Sequence, residues 1–172
     1  MNLFMAKTDL VNAPYYDKYI QLIAGDDLRA AFALQSATMN SFLGSLAEAK
    51  GDHAYAPGKW TVKQLIQHLI DAERVFAYRA VRFARRDSTP LAGFEEDDYA
   101  AVANVKERSI ADLTAEFHCV RDSTEKLFAS FTTDDLRQSG IASNHAISVT
   151  SLGWVILGHY EHHKQILMER YL

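Results

Sequence analysis

Gly158-His159-Tyr160-Glu161-His162-His163 closes an apolar run that reads as the last helix of the chain, from about residue 148 to about residue 170. His159 and His163 are four residues apart, a spacing that puts both imidazoles on one helix face, a turn apart. Leu152, Val155, Ile156 and Ile166 share that face. At about 100° per residue the two histidines fall near the centre of the apolar stripe. Histidines turned into a core are costly unless their ring nitrogens find partners. A divalent metal ion is one shared partner, since neutral imidazole is the commonest protein ligand for one. Internal hydrogen bonds in a plain helical core are the other.

Three more segments carry helical periodicity. The first covers about residues 26–50, opened by Gly25-Asp26-Asp27, with acids where the helix dipole favours them. A short aromatic helix, about 15–24, precedes it. The second starts near Trp60-Thr61, with Thr61 as N-cap, and runs through Leu65, Leu69, Phe76 and Phe83 to about residue 86. The third covers about 109–130, where Ser109 followed by Asp112 resembles a capping arrangement. Between them lie the 51–59 loop with Pro57-Gly58, a long acidic connection over 87–104 and a turn-rich connection over 132–148. The 87–104 connection has the length of a lid, or of a cover over one end of the core that contains a short helix. No segment alternates clearly enough for a strand. The expected fold is all-α: a four-helix bundle with a long crossover connection, one domain over residues 1–172.

Composition narrows the function. The chain is 48% hydrophobic and 23% charged, with a net charge of -4. No dense basic stripe is present to neutralise phosphates, so nucleic acid is not an expected partner. The densest basic patch, Arg79, Arg82, Arg85 and Arg86, reads first as a solvated helix face and second as a site for phosphate or an acidic partner. The single cysteine, Cys119, allows no intrachain disulfide and reads as an inert thiol. Met1 to Asn12 lacks the apolar core of a signal peptide, and no stretch has the length of a membrane span. The expected location is cytoplasmic.

Two imidazoles are too few for a zinc-type catalytic site, which takes three protein ligands and leaves one position open. Among the seven histidines, His68 lies in the second helix at the edge of its apolar stripe, so periodicity permits it without selecting it. Glu73, nearer the stripe centre, reads first as an ion-pair partner of an arginine, then as a metal-site acid. His162 and His118 lie off their core faces. His53 and His145 fall in loops, with His145 at the surface or at the mouth of a site. Tyr160 stands where a zinc protease would carry its glutamate base, so that mechanism is not supported.

These residues together resemble the DinB-like superfamily, in particular its YfiT-like metal-dependent hydrolases. The resemblance spans nearly the whole chain. It rests on Pro14-Tyr15-Tyr16, on Tyr55-Ala56-Pro57-Gly58-Lys59-Trp60-Thr61-Val62-Lys63, and on His68-Leu69-Ile70-Asp71-Ala72-Glu73-Arg74. Further landmarks are Thr89-Pro90-Leu91-Ala92-Gly93-Phe94, Ser148-Val149, the 158–163 stretch and Glu169-Arg170-Tyr171-Leu172. It implies one metal site between helices, with one histidine from the second helix and two, four apart, from the last. In this sequence those are His68, His159 and His163.

A three-histidine site leaves the ion's charge unneutralised by its ligands. It can activate water for hydrolysis, stabilise a thiolate for transfer, or polarise a carbonyl. Imidazole ligation suits zinc or nickel. Relatives in the superfamily use low-molecular-weight thiols, which implies a thiol as a possible co-substrate beside a small-molecule substrate. The leading expectation is a metal-dependent hydrolase or thiol transferase. A non-catalytic, metal-stabilised binding or stress-response module is the alternative, and an open coordination position would separate the two. A homodimer is expected from the aromatic-rich helix faces.

Overall fold

Side chains that accept hydrogen bonds from otherwise free backbone N–H groups start all four long helices in the computed structural model, which describes residues 7–172. The first residues of the 1–12 stretch therefore lie outside the described residues. In chain order the elements are α1 (Asp17–Ile20), α2 (Leu28–Gly44), α3 (Val62–Ala84), α4 (Glu96–Val102), α5 (Ile110–Ser130), α6 (Thr133–Arg137), β1 (Ser139–Ala142), β2 (His145–Ser148) and α7 (Val149–Ile166). A π-helical turn, Leu167–Tyr171, continues α7. Asp27 caps α2 through the Ala30 N–H at 3.0 Å. Thr61 forms a reciprocal capping box with Gln64 on α3. Ser109 accepts from the Asp112 N–H on α5, and Ser148 from the Ser151 N–H on α7.

α2 and α3 both pack on α5 and on α7, so α2 and α3 occupy opposite corners of the bundle. The 45–61 segment that joins them crosses the bundle instead of linking neighbours. α2 stops at Gly44, short of residue 50. Glu48 accounts for the early stop: it sits in a 3-10 turn and its carboxylate accepts the Ile110 N–H at 2.9 and 3.0 Å, capping α5 from outside. A continuous helix to residue 50 would forgo that contact.

The 132–148 connection corrects the strand-free expectation. It holds the helical turn α6 and a two-stranded antiparallel hairpin, with Ser139 opposite Ser148 and Ala142 opposite His145. Ser143 and Asn144 both have positive φ, 50° and 66°. This is the left-handed pair that a tight two-residue hairpin needs, and asparagine tolerates it well. Gly140 is required where β1 crosses α3, because a Cβ there would lie 2.2 Å from the Phe83 ring. In the 87–104 connection, Leu91 bridges to the hairpin through the Ile141 carbonyl and the Ser143 N–H. α4 closes the same connection over α3 through Gln64 and the Ala100 carbonyl.

The core is two apolar clusters stacked along the bundle. One gathers Phe32, Phe76, Phe83 and Trp154. The other gathers Met39, Leu43, Leu65, Leu69, Phe117 and Tyr160. Each fully buried side chain of this size contributes roughly 1.5–3 kcal/mol. Between the clusters lies a buried polar layer. Arg121 of α5 donates three hydrogen bonds to Glu73 of α3 at 2.8–3.1 Å and a fourth to Gln35 of α2 at 2.7 Å. Gln35 in turn donates to the Leu157 carbonyl of α7 at 2.9 Å. One network thus fixes the register of all four long helices.

Candidate metal centre

His68 on α3 and His159 and His163 on α7 meet in the seam between those helices. All three are buried. The Nε2 atoms of His68 and His159 stand 3.0 Å apart. One potential ligand atom from each histidine lies within 4.8 Å of the others. Two nitrogens bound to one zinc-sized ion in tetrahedral geometry stand about 3.3 Å apart, so the His68–His159 spacing suits a shared ion, with His163 within reach of it. One proton between His68 and His159 would satisfy that pair alone. It leaves His163 unexplained, since its Nδ1 is buried with no hydrogen-bond partner. An ion ligated through Nδ1 would give that orphaned nitrogen its partner.

Burial keeps these rings neutral. It lowers the His68 pKa to about 4 and holds His159 and His163 well below the ordinary histidine value, the latter two also through repulsion from neighbouring histidines. Neutral imidazole is the ligating form.

Aromatic side chains fence the cluster. Trp60 lies 4.7 Å, ring to ring, from His68 and stacks 6.4 Å from His163. Phe76 and Tyr19 present edges to His159 at 5.8 and 5.5 Å. Tyr19 reaches that place because α1 presses on α7 at Gly158, where a Cβ would lie 2.0 Å from the Tyr19 carbonyl oxygen. Two cavities reach the histidines. One of about 520 Å³ reaches His159 and is lined by Tyr15, Tyr16, Lys18, Tyr19, Phe76, Arg79, Phe94 and Glu96 among others. The other, of about 240 Å³, reaches His163 between Tyr55, Trp60 and Asp97.

The remaining candidates fall elsewhere. Glu73 is the ion-pair partner of Arg121, as its position favoured. Asp71, three residues beyond His68 and not selected by its spacing, is half-buried and accepts from Gln67 at 2.9 Å. His162 is half-buried against Tyr19. His145 is exposed and edge-on to Tyr15 at the rim of the larger cavity, outside the cluster. His53 packs edge-on to Tyr171, and Cys119 is exposed.

One reading is overturned. Arg79 is not on a solvated face with Arg82, Arg85 and Arg86: it is 2% exposed and lines the larger cavity. The signal was present, since Arg79 sits three residues after Phe76 and four before Phe83, both core residues of α3. Trp60 and Tyr19, which cover the histidines, were legible only as packing aromatics.

Comparison with known proteins agrees with this architecture. YfiT from Bacillus subtilis, described as a probable metal-dependent hydrolase with an unusual four-helix bundle topology, superposes with a TM-score of 0.71 at 16% identity. The match covers 94% of this chain and 88% of that one. No curated protein matches the chain. The family model for the DinB superfamily matches residues 31–167, a span that contains all three buried histidines and all four long helices save the first three residues of α2, and the chain belongs to that superfamily.

Proposed function

We propose that His68, His159 and His163 hold one divalent ion, zinc or nickel, and that the protein is a metal-dependent enzyme acting on a small molecule by hydrolysis or thiol transfer. The observation that carries this reading is the convergence of three buried, neutral imidazoles beside a cavity large enough for a small molecule. Bound there, such an ion supplies Lewis-acid chemistry, polarising a carbonyl and making water or a thiol nucleophilic near neutral pH. The description of YfiT as a probable metal-dependent hydrolase is in keeping with this.

The chain's own residues divide the remaining work. Trp60, Phe76 and Tyr19 hold the imidazole rings and keep bulk water from their faces. The metal-stabilised binding module is the weaker reading. A structural site is closed by a fourth protein ligand, but among the described residues the cluster contains three histidines and no carboxylate. Glu73, the nearest sequence candidate for a fourth ligand, is engaged by Arg121.

The test is to assay metal-loaded and chelator-stripped protein on panels of esters, amides and thiol-acceptor pairs. Turnover of one class that disappears on stripping and returns with zinc or nickel is the expected result. Turnover unaffected by stripping would contradict the reading.

A further inference from the structure

Arg79 is an unusual feature of the larger cavity. Its side chain is 2% exposed. Its Nη2 donates to the Ala92 carbonyl and to the Ser143 hydroxyl, both at 3.0 Å. Its guanidinium also stands near the Tyr16 hydroxyl and 5.9 Å from the Phe94 ring. All these partners are neutral. No carboxylate of the described residues forms an ion pair with it, although every other buried cation has one: Lys63 pairs with Asp52 and Arg121 with Glu73. A guanidinium does not shed its proton, and a buried cation without a counter-charge is costly. Tying the 87–104 connection to the hairpin explains the two hydrogen bonds but leaves the charge without a counter-charge.

The surroundings say what the missing partner looks like. Arg79 shares its cavity with His159, and the walls between are Tyr15, Tyr16, Tyr19, Phe76 and Phe94. A molecule that touches both Arg79 and His159 has an anionic group at one end and an apolar or aromatic body. Glu95 and Glu96 also line this cavity, but both are exposed and neither forms an ion pair with Arg79; Glu96 has Lys18 as its nearby cation.

We infer that Arg79, with the Ser143 and Tyr16 hydroxyls, forms a carboxylate-binding subsite, and that the substrate class is small molecules carrying a carboxylate on an apolar or aromatic body. Nη2 donates both of its hydrogens to Ala92 and Ser143, which leaves the Nε–H and Nη1 hydrogens of the cation to donate charge-assisted bonds to a carboxylate. That the far end of the ligand meets the reacting centre rests on the three-histidine reading above. The anion site itself does not.

The probe is 4-phenylbutyrate against its uncharged amide, 4-phenylbutyramide, titrated into metal-free protein by calorimetry. Metal-free protein removes the ion as a competing carboxylate ligand. The carboxylate should bind about 10- to 100-fold tighter than the amide, the worth of a charge-assisted contact. Arg79→Gln should abolish the difference, and Arg79→Lys should keep part of it. Because Arg79→Gln loosens two loop contacts, a second readout uses unaltered protein. The Arg79 Nε–H resonance should shift with the carboxylate and not with the amide. Equal affinities, or a preference that survives Arg79→Gln, would overturn the subsite. A preference seen only after metal loading and untouched by Arg79→Gln would also overturn it, by assigning the carboxylate to the ion, and would leave the metal reading standing. Conversely, an Arg79-dependent preference in a protein that takes up no metal would support the subsite and sink the metal reading.

Discussion

The Nε2 atoms of His68 and His159 stand 3.0 Å apart although 91 residues separate them in the chain. An ion held there ties α3 to α7 and binds the folded arrangement in preference to the open chain. By mass action, saturation at about 100 times Kd stabilises by about 2.7 kcal/mol. For a chain of this size that raises the melting temperature by about 5–10 °C. Thermal melts of stripped protein with and without added zinc or nickel should show the rise, and His68→Ala should remove it. An equal rise in the variant would contradict a shared site.

Acid should weaken the metal-free protein within a defined window. The His68 pKa is about 4 in the fold against 6.5 in the open chain, and His159 and His163 are shifted the same way. The folded value is the lower, so the unfolded chain takes up protons that the folded chain refuses. Stability is therefore full above about pH 6.5 and falls progressively toward about pH 4. Urea unfolding at a series of pH values measures this. Replacing His68 by Ala should flatten part of the slope, and a flat profile for the unaltered protein would count against buried neutral histidines.

Glu73→Gln should be severe without touching the histidines. It leaves the Arg121 guanidinium, 1% exposed, without its carboxylate in the centre of the bundle. Breaking one side of such a pair costs about 3–5 kcal/mol. Denaturant unfolding should show that loss, and pairing the change with Arg121→Met should recover part of it. Retained metal stoichiometry in folded Glu73→Gln would agree with a structural role; loss of metal from folded protein would make Glu73 part of the site.

Gly158→Ala should push α1 off α7. The added Cβ would lie 2.0 Å from the Tyr19 carbonyl oxygen, a backbone atom that cannot swing aside. Overpacking of this kind costs about 1–3 kcal/mol. It also withdraws the Tyr19 ring from His159, so the imidazole resonances of His159 should move while stability drops. Unchanged stability would contradict the close approach.

Much of this architecture could be read from residue spacing. The periodicity of α3, α5 and α7 and the hydroxyl caps at Thr61 and Ser109 are local signals, and each is where the residues put it. His159 and His163 are likewise local, a turn apart on one helix. His68 is different: its place in the cluster depends on how α3 packs against α7, which periodicity within α3 does not contain, and the superfamily resemblance selected it instead. The end of α2 and the hairpin were hidden for the same reason. Glu48 leaves the helix to cap α5, and the four-residue strands owe their pairing to Ser143 and Asn144 in the left-handed region and to Phe83 beneath Gly140. Arg79 was misread because charge was weighed above its place between Phe76 and Phe83.

Whether the three histidines hold an ion is decided by elemental analysis of protein purified without a metal-affinity tag, together with His68→Ala, His159→Ala and His163→Ala. About one zinc or nickel per chain is expected, lost in each variant while circular dichroism keeps its helical signal. Protein that takes up no metal after exposure to zinc, nickel and manganese, or variants that keep a full complement, would contradict the shared site and leave a helical binding protein with a histidine-lined cavity.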